Sequence, residues 1–295
     1  MLITGAGGQV GRFLAGEAGR RGYRVRALTR REFDITDPAA ARREVAGADI
    51  VVNCAALTNV DAAEAEPGRA HAVNAAGAGT VAAACATAGA RLIHLSTDYV
   101  FGASGGTPGR PYEVDDATGP VSVYGRSKLD GERAVLAALP GAHVVRTSWV
   151  YTGGPGTDTG GDFVAVMRAL AATDRTVDVV ADQTGSPTYV ADLVSALLEL
   201  AGGEVRPGIL HVANAGAATR FDQARAVFAD LGADPDRVRP VSTGAVPRPA
   251  RRPAYSALSM AESARAGLTA LRPWRDAIAA ALAVPTDTGP IPSTP

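Results

Sequence analysis

The 295-residue chain has few of the residues that mark exported, metal-binding or membrane proteins. Cys54 and Cys85 are its only cysteines, and both lie in small apolar stretches typical of packed thiols rather than a disulfide. The four histidines are scattered without metal-ligand spacing. No apolar run reaches the length of about 18 residues that a membrane helix needs, and no export signal precedes the first strand. We therefore expect a cytoplasmic protein with no membrane partner.

The chain also has no large excess of positive or negative charge, and lysine is almost absent. The formal net charge is −1 and no basic block stands out, which argues against nucleic acid as a partner. Lysine and arginine total 29, yet Lys128 is the only lysine. Biased codon usage accounts for the general depletion but not for the one position that keeps lysine. Because lysine is a compact charge with a shiftable pKa, we predict that Lys128 performs chemistry that arginine cannot.

Short apolar runs alternate with segments of helical length through the first half of the chain. We predict strands, buried on both faces, at 1–4, 24–28, 49–53, 91–96 and 142–147. The intervening segments, which we predict as helices, are 9–21, 38–45, 74–88 and 121–139. This alternation predicts an α/β fold, a doubly wound parallel sheet of the Rossmann type.

The pattern loosens in the second half. We predict helices at 163–172, 189–201, 221–231 and 273–282, strands at 177–180 and 209–213, and a loop at 153–161. Residues 1–150 are predicted to form a dinucleotide-binding core, completed by parts of 176–215. The remaining segments, 151–175 and 216–284, are predicted to form a small C-terminal substrate-binding lobe. Residues 285–295 are rich in proline and threonine and predict a disordered tail.

A glycine-rich turn joins the first strand to the first helix. Gly5, Gly8 and Gly11 flank Gln9 and Val10 and give the spacing GxxGxxG. Such glycines permit a tight turn and let the backbone approach a pyrophosphate, which the unpaired N–H groups of the helix N-terminus then bind. The position between strand and helix predicts a dinucleotide site rather than a simple packing turn.

The end of the second strand carries Arg30 and Arg31 and no acid, where NAD-selective sites place a carboxylate. Guanidinium groups suit a 2′-phosphate, which favours NADPH, with NADH possible; the alternative is a solvated basic turn. Asp34 and Ile35 follow and are candidates for the adenine edge. The third strand ends in small residues, including Ala55 and Ala56, which allow the backbone to approach the dinucleotide.

Tyr124 and Lys128 lie four residues apart at the start of a predicted helix, which places them on one face. We expect the ammonium group to lower the pKa of the phenol, which then donates a proton to a substrate alkoxide as hydride arrives. Lysine can also bond the nicotinamide ribose. Thr97 ends the fourth strand and can polarise a substrate carbonyl, or merely cap the following turn. Together the three residues predict carbonyl reduction.

With these residues in view, the chain resembles the dTDP-4-dehydrorhamnose reductases, which are extended short-chain dehydrogenases of deoxysugar synthesis. The matching stretches occur in order along nearly the whole chain: 5–11, 34–37, 58–64, 96–102, 124–128, 146–151, 182–188 and 252–256. The resemblance implies hydride transfer from NADPH to the C4 ketone of a dTDP-4-keto-6-deoxy sugar, giving dTDP-L-rhamnose or a close relative.

The resemblance also implies which residues contact the ligands. Those implied to contact the cofactor are Gly8, Gln9, Val10, Asp34, Ile35, Ala56, Leu57, Thr58, Tyr124 and Lys128. Those implied to contact the sugar nucleotide are Thr97, Asp98 and Trp149. The alternative for Trp149 is a tryptophan that packs in the core. The chain departs from the family at Asp162, where an asparagine is common. Some family members form a magnesium-linked dimer through glutamates. The matching positions near Phe13 and Tyr189 carry no acid, so we expect no metal site and no metal-linked dimer.

Two other functions stay open on the same fold. One is a sugar-nucleotide epimerase, which retains its NAD; dehydration is disfavoured because Tyr99, not a second acid, follows Asp98. The other is a catalytically silent regulatory subunit, against which the intact Thr97, Tyr124 and Lys128 argue. The sequence leaves open the sugar's stereochemistry, the pathway and the oligomeric state.

Overall fold

The computed structural model describes residues 1–102, 109–154 and 161–284. Six parallel strands form its central sheet, in the order β10-β5-β4-β3-β1-β2. Their bounds are β1 Leu2–Thr4, β2 Arg26–Leu28, β3 Ile50–Asn53, β4 Arg91–Thr97, β5 His143–Thr147 and β10 Gly208–His211. The doubly wound α/β fold predicted from the sequence is confirmed.

Helices cover both faces of the sheet. The helices are α1 Gln9–Arg20, α2 Pro38–Val45, α3 Val60–Ala65, α4 Pro67–His71, α5 Ala78–Ala88, α6 Val123–Ala138, α7 Phe163–Ala171, α8 Val190–Gly202, α9 Arg220–Asp230, α10 Ala261–Arg265 and α11 Trp274–Leu282. One apolar core lies between the sheet and the pair α1 and α8, and a second lies under α2, α5 and α6. Each sheet face therefore buries its side chains, as two-sided parallel sheets require.

The chain reverses its winding direction at β1, because β2 and β3 lie on opposite sides of that strand. In open α/β sheets the crevice at the carboxyl ends of such neighbouring strands is where ligands bind. The loops that follow β1, β3, β4 and β5 all open toward this edge. The topology thus brings the glycine-rich turn and the residues after Asn53 and Thr97 to one place.

Local signals account for several helix boundaries. Asp37 caps α2 by accepting a hydrogen bond from the Ala39 N–H, and Pro38 occupies the first turn. Ser122 caps α6 in the same way through the Gly125 N–H. Gly89 ends α5 in the left-handed region, at φ 67°. The helix predicted at 74–88 is α-helical from Ala78, and its first residues belong to a π-helical turn, Ala72–Gly77, which the periodicity did not indicate.

One part of the strand prediction is wrong. The second strand was expected to be buried on both faces, but Arg26 and Ala27 of β2 are exposed and Leu28 is only half-buried. The reason is topological: β2 is the edge strand of the sheet, so it has a neighbour on one side only.

The second half of the described chain adds short paired strands to this core. They are β6 Val150–Tyr151, β7 Val177–Val180, β8 Thr184–Gly185, β9 Thr188–Tyr189, β11 Ala218–Thr219 and β12 Val238–Val241. They pair as β6 with β9, β8 with β11 and β7 with β12. The predicted tail at 285–295 and most of the predicted loop at 153–161 lie outside the described residues. No helix within the described ranges is long and apolar enough to cross a membrane.

Candidate active site

A cavity of about 630 Å³ lies at the carboxyl edge of the sheet. Its lining runs from the glycine-rich turn after β1, past the ends of β3, β4 and β5, to the start of α9. Of the residues predicted to bind cofactor or substrate, those that line this cavity are Gly5, Gly8, Gln9, Val10, Gly11, Arg30, Asp34, Ile35, Ala55, Ala56, Leu57, Thr58, Thr97, Asp98, Tyr124, Lys128 and Trp149. Arg31 is exposed and does not line it.

The glycine turn has no room for side chains at two positions. Gly5 has a φ of +65°, and a Cβ built there lies 2.6 Å from the backbone nitrogen of Ala55. A Cβ at Gly11 lies 2.5 Å from the Gly5 carbonyl oxygen. Gly8 caps α1 without a side-chain hydrogen bond, so the first N–H groups of the helix face the cavity free of side-chain partners. This cradle fits the pyrophosphate of a dinucleotide.

At the edge of the cavity beside β2, Arg30 lines the cavity and Arg31 does not. Arg30 lines the cavity near Asp34, whose pKa is lowered by hydrogen bonds from the Thr36 backbone and side chain and by the charge of Arg30. Glu32 is the nearest acid beyond the strand, but its carboxylate accepts two bonds of 2.8 Å from the Thr29 N–H and hydroxyl. That turn occupies the Glu32 carboxylate, so the charged groups that line the cavity at this edge are Arg30 and Asp34.

Asn74 fixes the loop after β3 against α6. Its Oδ1 accepts from the Leu57 N–H at 2.8 Å, and its Nδ2 donates to the Leu57 carbonyl at 3.1 Å. The same Nδ2 donates to the Ser127 hydroxyl at 2.9 Å. Because Asn74 is fully buried, these bonds hold the cavity wall at Leu57 and Thr58 in register with the helix that carries Tyr124 and Lys128.

Tyr124 lies at the start of α6, where its hydroxyl is hydrogen-bonded to Thr97. The expectation that an ammonium group lowers its pKa is wrong in this structure. Burial raises the pKa of Tyr124, and the charges of Asp98 and Tyr99 add to the rise, while only the Thr97 bond opposes it. The phenol is therefore held protonated at neutral pH, as a proton donor must be.

The amine of Lys128 contacts two groups of β4. Its Nζ donates to the Leu95 carbonyl at 2.6 Å and lies 3.4 Å from Nε2 of His94. The side chain is only 2% exposed, and this burial lowers the pKa of Lys128 from 10.5 to about 8. The sole lysine of the chain is thus a buried group whose pKa lies well below that of a free lysine.

Thr97 both caps a turn and faces the cavity. Its Oγ1 accepts from the Tyr99 N–H at 3.2 Å and donates to Asp98 Oδ1 at 3.1 Å. Asp98 is buried and also accepts from the hydroxyls of Ser148, at 2.9 Å, and Ser256, at 2.5 Å. Burial raises the pKa of Asp98 to about 6 although these three hydroxyls oppose the rise. The two readings of Thr97, cap and site residue, are therefore compatible.

Trp149 forms the far wall of the cavity rather than part of the core. It is half-buried, with a positive φ of 48°, and the guanidinium of Arg220 lies 3.7 Å from its ring centroid. Arg220 also stacks on Phe163 at 4.9 Å. Burial lowers the pKa of Arg220 to about 10 despite the nearby charges of Tyr99 and Asp98. No sequence pattern singles out Arg220, because it begins an ordinary capped helix far along the chain.

Asp162, where the chain departs from the family pattern, serves the fold. Its Oδ2 accepts from the Thr152 N–H at 2.7 Å, the Thr152 hydroxyl at 2.6 Å and Gln9 Nε2 at 3.1 Å. Its Oδ1 caps α7 through the Ala165 N–H. The carboxylate thus links α1 to the segment after β6 and to the start of α7. Across the described ranges, no group of three or more His, Cys, Asp or Glu is placed to hold a metal ion.

Comparison with known proteins agrees with this geometry. The family model described as RmlD substrate binding domain matches residues 1–286. A dTDP-4-dehydrorhamnose reductase of Mycolicibacterium smegmatis is 62% identical over all of this chain and 89% of that protein. One from Mycobacterium tuberculosis is 61% identical over 97% of this chain and 93% of that protein. The crystal structure of a dTDP-4-dehydrorhamnose reductase from Bacillus anthracis in complex with NADP superposes with a TM-score of 0.86 at 35% identity, covering 94% of this chain and 96% of that one. The chain belongs to the dTDP-4-dehydrorhamnose reductase family.

Proposed function

We propose that this protein reduces the C4 ketone of a dTDP-4-keto-6-deoxy sugar with NADPH, converting dTDP-4-dehydro-L-rhamnose to dTDP-L-rhamnose. The observation that carries the proposal is the placement of Thr97, Tyr124 and Lys128 on one cavity with the glycine turn. The relatives named as dTDP-4-dehydrorhamnose reductases, one of them bound to NADP, support the same reaction.

The cofactor end of the cavity is the cradle of Gly5, Gly8 and Gly11. These glycines and the start of α1 would hold the pyrophosphate, and Arg30 would pair with the 2′-phosphate. NADPH supplies the hydride when it is bound. Because Glu32 accepts two bonds from Thr29 and Asp34 accepts two from Thr36, Arg30 is the group at this edge that would pair with a 2′-phosphate, which favours NADPH over NADH.

The reacting ketone would lie between Thr97 and Tyr124. The Tyr124 hydroxyl, kept protonated by burial, donates its proton to the oxygen that becomes the alcohol. The Thr97 hydroxyl polarises the same oxygen from the end of β4. Lys128 stabilises the phenolate that remains and returns a proton to it. Each of these groups is positioned by a strand end or by the capped helix α6. The Thr97 hydroxyl, which donates to Asp98 in this structure, would turn toward the ketone oxygen.

The far end of the cavity suits the sugar nucleotide. Arg220 lies between Trp149 and Phe163 with no carboxylate within ion-pairing distance in the described residues, and it would pair with the diphosphate. Asp98, fixed by its three hydroxyl partners, would accept from a sugar hydroxyl. We propose accordingly that residues 151–175 and 216–284 form the substrate lobe and that residues 1–150, with parts of 176–215, bind the dinucleotide.

Turnover with product analysis tests the proposal. We expect NADPH oxidation when dTDP-4-dehydro-L-rhamnose is supplied, and NMR of the product should show a hydroxyl at C4 of defined configuration. Purified protein that retains NAD and consumes no NADPH would favour an epimerase instead. A protein that binds the nucleotide sugar without turnover would be a regulatory subunit.

A further inference from the structure

A line of buried polar side chains crosses the sheet beneath the cavity. Thr4 pairs in register with Asn53, and Asn53 pairs with His94, so the three side chains lie side by side on β1, β3 and β4. All three are fully buried, and most of the other buried residues of these strands are apolar. Polar groups at such a depth are costly unless they are hydrogen-bonded, so their bonding pattern is strongly constrained.

The bonds of Asn53 determine which way its amide faces. Its Oδ1 accepts from the Thr4 hydroxyl at 2.6 Å and from the Ala55 N–H at 3.2 Å. The carbonyl side of the amide is therefore engaged by two donors, and Nδ2 is the atom that lies 3.0 Å from Nδ1 of His94. Because an amide nitrogen can only donate, Nδ1 of His94 must accept.

The proton of the neutral imidazole then lies on Nε2. Burial, together with the charge of Lys128, holds the pKa of His94 well below its usual range, so the ring carries one proton. With Nδ1 accepting, that proton points from Nε2 toward Lys128 Nζ, 3.4 Å away. An N–H group that faces an ammonium group destabilises its positive charge, whereas an uncharged amine can accept a hydrogen bond from that N–H.

We infer that Asn53 and His94 are a positioning pair that aims a ring N–H at the amine of Lys128 and so favours its uncharged form. Neither residue touches the cavity wall where substrate would react; both act through Lys128. The inference rests on the proposed function for its catalytic meaning, but the arrangement itself concerns only the protonation of one amine.

The other groups that face Lys128 act in known directions. Burial lowers its pKa most, while the charge of Glu132 on its own helix and Cys54 at the end of β3 raise it. Glu132 is itself neutralised in part by Arg146 on β5. Tyr124 lies one turn earlier on α6. Of the neighbours on β4, Leu95 offers a carbonyl acceptor, and His94 is the one that presents a donor.

A weakly basic Lys128 suits the proposed reaction. When hydride reaches the ketone carbon, the Tyr124 O–H bond breaks and its proton passes to the new alcohol oxygen. The phenolate then takes a proton from the Lys128 ammonium, which becomes an amine and is protonated again by water. An ammonium with the ordinary lysine pKa of 10.5 would release that proton about 300-fold less readily than one with a pKa of about 8.

The single lysine makes the inference directly measurable. Protein labelled with ¹³C at the lysine Cε gives one side-chain resonance, whose pH titration reports the protonation of Lys128 without any substrate. In wild-type protein we expect a midpoint well below that of a free lysine, and ¹⁵N imidazole spectra should show His94 as the Nε2–H tautomer. A His94 ring protonated on Nδ1 would overturn the inference.

Two variants and a control complete the test. His94→Phe removes the facing N–H, and we expect the Lys128 midpoint to rise by about one unit. Asn53→Asp replaces the donor to Nδ1 by an acceptor, which moves the ring proton to Nδ1 and turns Nε2 toward Lys128 as an acceptor, so the midpoint should rise again. His143→Phe is the control, because this buried histidine bonds the Val205 carbonyl instead. An unchanged midpoint in folded His94→Phe would refute the inference.

The same variants distinguish this inference from the proposed function. If wild-type protein turns over the keto sugar, the alkaline limb of kcat should move to higher pH in His94→Phe together with the NMR midpoint, while KM for NADPH changes little. If the protein has no reductase activity, the NMR titration still decides the protonation of Lys128. A lowered midpoint without turnover would leave the pair intact and refute only the catalytic role.

Discussion

Replacing Glu132 by glutamine removes one half of a buried ion pair that holds α6 to the sheet. Glu132 on α6 accepts from Arg146 Nε at 2.9 Å, from Arg146 Nη2 at 2.8 Å and from the Ser96 hydroxyl at 2.5 Å. The two charged side chains are 2% and 3% exposed. The variant leaves a buried guanidinium without a countercharge and turns an amide donor toward other donors, which costs about 3–5 kcal/mol of unfolding free energy.

Urea unfolding followed by tryptophan fluorescence measures this loss, with the slope of the transition as a check that both proteins unfold alike. Glu17→Gln is the matched control, because Glu17 also bonds two arginines but lies on the surface of α1. A surface pair of this kind contributes less than about 1 kcal/mol. Equal losses of unfolding free energy for the two variants would refute the view that Glu132→Gln leaves the Arg146 guanidinium buried without a countercharge.

The same substitution has a second readout with a definite sign. The charge of Glu132 raises the pKa of Lys128, so Glu132→Gln should lower the Lys128 midpoint, whereas His94→Phe should raise it. Opposite shifts at one amine from two neighbouring substitutions cannot come from a general loosening of the fold, because loosening admits water and moves both midpoints toward that of free lysine.

Three further substitutions test the site itself. Tyr124→Phe should lower kcat by about 10²–10⁴-fold with NADPH binding retained, since it removes the proton donor and little volume; turnover at the wild-type rate would exclude Tyr124 as that donor. Arg30→Ala should weaken binding of NADPH more than of NADH in fluorescence titrations, and Arg31→Ala should do so less, because only Arg30 lines the cavity; equal effects would contradict this. Gly5→Ala should lower unfolding free energy by about 2 kcal/mol or more, given its φ of +65° and the 2.6 Å approach to Ala55, and a loss no larger than that of Gly7→Ala would argue against the strained turn.

Local patterns were enough to predict much of the fold. Strand–helix alternation predicted the parallel sheet, and the glycine spacing predicted the turn between β1 and α1, because each depends on residues that are adjacent in the chain. Exposure of β2 was not predicted, since the edge position of a strand depends on the order of the whole sheet. The strand β7 was predicted at 177–180, whereas the two-residue strands β6, β8, β9 and β11 were missed, because such short pairs leave no periodic signal.

The residues of the cavity also divide into those that local spacing predicts and those that only the fold brings together. Tyr124 and Lys128 are four residues apart, and their spacing on a helix was readable. Arg220 and Ser256, by contrast, reach Trp149 and Asp98 from distant parts of the chain, and no local pattern marks them. The protonation of Tyr124 was predicted with the wrong sign because helix spacing gives proximity, whereas the depth of burial, which dominates this pKa, is a property of the packed fold.

The retention of lysine at position 128 in an arginine-rich chain follows from this packed environment. At a side chain 2% exposed, Nζ meets one carbonyl, that of Leu95, and one imidazole nitrogen. A guanidinium at the same depth would bring five N–H groups to a site with one carbonyl acceptor and leave buried donors unpaired. It would also stay charged at every accessible pH, so it could neither accept the His94 N–H nor give up a proton. Arginine is therefore unsuited to position 128 for two reasons: the amine has one carbonyl acceptor, and a ring N–H faces it. These two features explain why lysine stands here although codon bias favours arginine elsewhere in the chain.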